Sequence, residues 1–195
     1  MVNNMNLGFK KTTLSGDEYC DIYADIILEY YRRIISDDKI FVPLKITKQK
    51  QEEFSIELSL LLLVIAMRAY ELENNRRVIA DFVKGKTCES LCSKLFDYDD
   101  DSGYLELFNA RYTMFEELSS IKDTKVSVDN QLLGMARYFI SQFSNEKKEE
   151  KNKDVIIALN EQLSEFYAIV HKLAFNSMLK KSSALVGKYD FIVMQ

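Results

Sequence analysis

The sequence predicts an all-α domain, a single compact bundle of six or seven helices, and three observations predict it. One proline and six glycines in 195 residues are few breakers, fewer than a loop-rich sandwich needs. Apolar residues recur at three-and-four spacing over several long windows, which is the period of a helix face. One stretch, Leu60 to Met67, is apolar at every position, as in a helix enclosed by its neighbours. A 47% apolar content supplies a real core, and the length fits one domain.

Residues 1–14 read as an N-terminal arm with Leu7 and Phe9 as anchors. Ser15 and Glu18 have capping-box spacing, in which each side chain bonds the other residue's free backbone N–H. The helix they open carries Tyr19, Ile22, Tyr23, Ile26, Ile27, Tyr30, Ile34 and Ile35 on one side. Asp21, Asp25, Glu29 and Arg32 fall on the other, and the pattern runs to about Ser36. In the connector 37–47, Ile40, Val42, Leu44 and Ile46 alternate as in a half-buried strand, while Pro43 confines it to an edge. The pieces LGFKKTTL (7–14) and KYDFIVMQ (188–195) are the other strand-like segments. A minor β element joining the 39–47 connector to the chain ends is therefore allowed.

The longest helical stretch runs from about Gln49 to Glu73, and its centre LSLLLLVIAM belongs inside the bundle. Asn74-Asn75 breaks it, and a shorter piece follows from Arg76 to Lys84. Gly85 is read as the stop, and Thr87 as the cap of another short helix through Phe96. DYDDDSG (97–103) is a polar acidic loop, after which Asp101 or Ser102 opens a helix bearing Leu105, Leu107, Phe108, Tyr112, Met114, Phe115 and Leu118. Ser127 caps the next, which buries Leu132, Met135, Ala136, Phe139 and Phe143. A charged run (146–154) precedes a last long helix with Ile156, Leu159, Leu163, Phe166, Val170 and Leu173 as its seam. The bundle domain spans 15–181, and 182–195 forms an apolar tail packed on the bundle or on a partner.

The chemistry is read mostly by elimination. Asp97, Asp99 and Asp101 alternate as in a calcium loop, which needs glycine at position 6 and glutamate at position 12. Counting from Asp97, those positions hold Ser102 and Phe108, so the loop fails as an EF-hand. Cys88 and Cys92 would share a helix face, but a tetrahedral zinc site wants four ligands and no further Cys or His lies nearby. Buried thiols acting as small hydrophobes are the better reading. His171 is the sole histidine, which excludes zincin motifs and di-iron bundles built on two Glu-x-x-His motifs. Before it stand Glu165, Phe166 and Tyr167, without the arginine that a helical nuclease pair would want. No glycine-rich phosphate loop and no G-x-S-x-G occurs. Glu116 and Glu117 are adjacent, so they point in different directions on a helix.

The expected function is therefore a non-enzymatic protein-interaction module without cofactor or metal, an inhibitor or immunity-type protein from a phage or toxin–antidote setting. Its expected interaction surface comprises Tyr30, Tyr31, Arg76, Arg77, Tyr98, Tyr104, Phe191 and Ile192, since tyrosine and arginine are enriched where proteins meet. A homodimer through the apolar tail is compatible with it. The alternative is a nucleic-acid-associated regulator using the basic residues of 45–50 and 76–86, namely Lys45, Lys48, Lys50, Arg76, Arg77, Lys84 and Lys86. A third reading is a small-ligand or enzymatic bundle with a tyrosine-lined pocket. Net charge −4 argues for neither a strongly basic nor a strongly acidic binder. Three cysteines without pattern, no apolar leader and no run near 20 apolar residues give a cytoplasmic expectation with no membrane partner.

Overall fold

Ser15 starts the first long helix as its sequence dictates. Its backbone N–H donates to Glu18 Oε2 at 2.8 Å, and the Glu18 N–H donates to Ser15 Oγ at 3.2 Å, the complete capping box. Such a cap is worth about 1 kcal/mol. The helix, α1 (Gly16–Ile35), ends on Ser36, whose N–H reaches the Arg32 carbonyl at 3.1 Å, with Arg32 and Arg33 complementing the negative helix end. The computed structural model describes residues 12–36, 48–74, 77–96, 102–119, 138–139, 168 and 176–192. These are 93% helical, which establishes the mainly-α class.

Four more helices follow among the described residues: α2 (Lys48–Asn74), α3 (Arg77–Phe96), α4 (Ser102–Ser119) and α5 (Asn176–Lys188). Two short strands, β1 (Thr12–Ser15) and β2 (Tyr189–Ile192), pair in parallel with Thr12 opposite Tyr189 and Ser15 opposite Ile192. The chain-end half of the expected β element is thus present. Connector 39–47 lies outside the described residues. So do most of the helices expected around 128–143 and 156–173, of which only 138–139 and 168 are described. Helix α5 passes through residues 181 and 182, where the sequence alone placed the start of the tail.

As its composition demands, α2 is the central element. Leu58 to Met67 are all buried, and α1, α3, α4 and α5 all pack against it. The Tyr19 ring meets Tyr70 at 6.4 Å while Tyr23 Oη donates to the Ala66 carbonyl at 3.3 Å, so α1 and α2 run antiparallel. Asp21 pairs with Ser90 at 2.6 Å and Asp25 with Lys94 at 2.7 Å, four residues on in both helices, so α3 runs parallel to α1. On α4, the consecutive Arg111 and Tyr112 reach Glu57 and Glu71 of α2. Those carboxylates lie about 21 Å apart along the axis at 1.5 Å per residue, so α4 lies across α2 instead of along it.

One expectation is overturned here. Gly85 does not stop a helix, because α3 is continuous from Arg77 to Phe96 and Thr87 is an interior residue, not a cap. A glycine inside a helix costs only about 1 kcal/mol against alanine. Burial of Val83, Thr87, Cys88, Leu91 and Cys92 along one face outweighs that cost.

Candidate functional site

The structure buries two of the residues expected to form an interaction surface. Tyr30 is only 2% exposed and packs in the core, with Arg33 and Lys181 over its ring at 5.8 and 5.1 Å. Tyr104 is likewise buried: its hydroxyl lies 2.7 Å from Ser59 Oγ, and its ring meets Phe96 at 5.4 Å. These are corrections with one cause. Successive helix residues point about 100° apart, so a charged neighbour in sequence says nothing about the face a tyrosine occupies. Tyr31 is half-buried beside them, packed against the core with Phe96. Arg76 and Tyr98 lie outside the described residues, and Arg77 opens α3. Phe191 and Ile192 are in β2, opposite Leu14 and Ser15 of β1. Of the expected surface residues, Tyr30 and Tyr104 are therefore not available for contact.

What the fold does bring together are two polar ties where α4 crosses α2. At one, Arg111 Nε lies 2.8 Å from both carboxylate oxygens of Glu57, and Nη2 adds a further contact to Oε1. At the other, Glu71 accepts from the Tyr112 hydroxyl at 2.8 Å, with Lys84 Nζ at 3.2 Å and Arg68 Nη1 at 3.2 Å. Lys84 also sits 4.1 Å over the Tyr112 ring. Burial raises the Glu71 carboxyl, but the Tyr112 hydroxyl, Lys84 and Arg68 outweigh it, so its pKa lies below the ordinary value. Glu71 thereby joins α2, α3 and α4 at one atom group, a convergence no sequence pattern announces.

The basic stretch proposed for nucleic acid is partly neutralised. Lys84 pairs with Glu71 and Asp81, and Lys86 pairs with Glu89 at 2.8 Å. Lys50 is half-buried on α2, while Lys45 and Arg76 lie outside the described residues. Cys20, Cys88 and Cys92 are free and buried. Burial pushes the Cys20 thiol up to about 11, against a smaller opposing effect of the Thr87 hydroxyl. Burial also pushes the Tyr19 and Tyr104 phenols above their ordinary value. Among the described residues no group of three or more His, Cys, Asp or Glu is placed to hold a metal ion, and no helix is long and apolar enough to cross a membrane. The acidic loop 97–101 and His171 lie outside the described residues.

One cluster has no counterpart among the expected site residues. Glu29 of α1 is gripped by Arg33 at 2.6 Å and by Lys181 of α5 at 2.5 Å. The available signal was the stretch 166–189, which contains lysines and no acidic residue at all. No protein-family model, curated protein or solved structure matches this chain.

Proposed function

We propose that this chain is a non-enzymatic interaction module, a bundle of six or seven helices that acts in the cytoplasm by binding another protein through its surface. One observation carries the reading. Two ionisable side chains drawn into the described fold, Glu71 and Cys20, are held in charge states that suit packing and helix-to-helix ties instead of chemistry. A general base works best with a pKa near the operating pH, whereas Glu71 is held below the ordinary carboxylate value by three partners. A nucleophilic cysteine needs thiolate character, whereas the Cys20 thiol is pushed up to about 11 by burial. An inhibitor or immunity-type role, in a phage or toxin–antidote setting, suits a small domain that acts by covering its target. Tyr31 and Phe96, each half-buried against the core and Phe96 packed on the buried Tyr104 ring, are the aromatic anchors such a contact would use.

Affinity capture of the tagged full chain from its native cells, with and without nuclease, tests this. The expected result is one stoichiometric protein that survives nuclease and is recovered at least tenfold less well with Tyr31→Ala. Turnover of a small molecule by the purified chain, lost on Glu71→Gln, would overturn the non-enzymatic reading.

A further inference from the structure

Helix α4 is fastened to the bundle differently from its neighbours. Along α1, nine residues from Gly16 to Ile34 are buried, and the centre of α2 is enclosed from Leu58 to Met67. Of the described side chains of α4, only Tyr104, Phe108 and Tyr112 are buried, one ring per turn along a single stripe. Leu105, Leu107 and Met114 add half-buried contacts. Two of the three rings end in hydroxyls bonded to α2, Tyr104 to Ser59 Oγ at 2.7 Å and Tyr112 to Glu71 at 2.8 Å. Arg111 adds its fork on Glu57.

The bundle side of these ties does not need α4. Ser59 Oγ donates its proton to the Ile56 carbonyl at 2.6 Å, so it only accepts from Tyr104 and keeps its own bond when that hydroxyl leaves. Glu71 keeps Lys84 and Arg68, both at 3.2 Å. Glu57 and Arg111, 14% and 26% exposed where they meet, regain water on parting. Release of α4 therefore strands none of these polar groups in a dry place. What it uncovers is aromatic and thiol surface. Burial raises the Tyr104 phenol, against the Ser59 bond, and the Cys88 and Cys92 thiols add to the rise, so both lie close to it. Phe96 packs on the same ring at 5.4 Å. We propose that α4 is a latch: it undocks as a unit while α1, α2 and α3 stay folded together, and a minor open state exposes the Tyr104, Phe108 and Tyr112 stripe and the two thiols. Local opening of this kind falls on the element with the fewest buried apolar contacts. A helix with rings at i, i+4 and i+8 is the form that lies in a groove of another protein, and the closed state withholds it.

Two labels on the purified full chain under native conditions test it: hydrogen exchange read by mass spectrometry, and slow maleimide labelling of the thiols. The α4 amides 104–114 and the Cys88 and Cys92 thiols should share one opening constant. It should be at least about tenfold larger than that of the α2 amides 60–67, which exchange only on global unfolding. Two conservative hydroxyl deletions then separate the elements. Tyr23→Phe removes a bond between α1 and α2 and should speed α2 exchange about fivefold. It should leave Cys88 and Cys92 labelling unchanged, because that bond persists in the open state. Tyr112→Phe removes a bond of the latch itself and should speed labelling of both thiols about fivefold. Arg111→Ala should speed it at least about tenfold. Thiols that react no faster than α2 exchanges, or that speed up with Tyr23→Phe as α2 does, mean that α4 leaves only when the whole domain unfolds, and overturn the latch. Labelling indifferent to both Tyr112→Phe and Arg111→Ala overturns it too, since the thiols are then reached by another route. Capture of a protein partner is scored separately, so that reading stands or falls on its own.

Discussion

Two seams in this molecule use the same chemistry at different depths. Between the parallel helices α1 and α3, Lys94 is shared by Asp21 at 2.6 Å and Asp25 at 2.7 Å, carboxylates that are 55% and 62% exposed. Where α4 crosses α2, Arg111 holds a Glu57 side chain that is only 14% exposed, and Glu71 joins three helices. Exposed pairs contribute about 0–1 kcal/mol because water competes for both charges. In a half-dry pair the loss is asymmetric. Removing one partner strands the other in a place where water replaces it poorly. The apolar contact along α1–α3 therefore holds that seam with or without its charges, whereas the α2–α4 crossing depends on them.

The sharpest break in that contrast is Arg111→Ala. It leaves the Glu57 carboxylate without its bidentate partner, and a cost of about 2–3 kcal/mol is expected after allowing for partial solvation. For a chain of this size that is a fall of about 4–12 °C in Tm. Urea or thermal unfolding by circular dichroism measures it. A loss below about 1 kcal/mol would put the crossing in the same class as the exposed seam and remove the distinction.

Acid sharpens the contrast further. The folded pKa of Glu71 lies below its unfolded value, so the stability it contributes is complete above the ordinary value of 4.5 and is lost as pH falls through the folded value. Asp21, held down by Lys94 and Ser90, acts in the same sense but faces water. Wild-type stability should therefore drop more steeply below pH 4.5 than that of Glu71→Gln. Asp21→Asn should flatten the curve far less. Parallel curves for wild type and Glu71→Gln would show that the three-helix junction is no acid-sensitive tie.

The two seams also differ in how far the sequence announces them. The capping box at Ser15 and Glu18, the amphipathic run of α1 and the all-round apolar centre of α2 are local patterns, and each is present as read. Local signals are read well because a helix is set by residues three and four apart. They fail where tertiary packing outvotes a residue's habit, as at Gly85, where burial carries α3 straight through a nominal stop. They fail equally for Tyr30 and Tyr104, whose charged neighbours sit on other faces. The ties at the crossing join residues more than forty apart, Glu57 to Arg111 and Glu71 to Tyr112, and no spacing rule connects such positions. Those ties, and the Glu29 cluster that joins the first helix to α5, required the fold to be seen.

The smallest expected effect completes the contrast from the other side. Lys94→Ala removes both contacts of the exposed seam at once, along with the bond from Nζ to the Asp21 carbonyl at 3.3 Å. Burial lowers the Lys94 pKa, but Asp21 and Asp25 outweigh it and hold the ammonium above its ordinary value, so the pair is formed at neutral pH. Its removal should nonetheless cost less than about 1 kcal/mol, because Asp21 and Asp25 regain water and Asp21 keeps its bond from Ser90. That cost should shrink as salt rises towards 1 M, where the screening length falls to about 3 Å. The Arg111→Ala cost should persist there, since a half-dry pair is screened much less. Unfolding both variants over one salt series checks the two expectations together. A Lys94 cost that equals the Arg111 cost and resists salt would mean that depth does not separate the seams, and that α3 is held to α1 by charge after all.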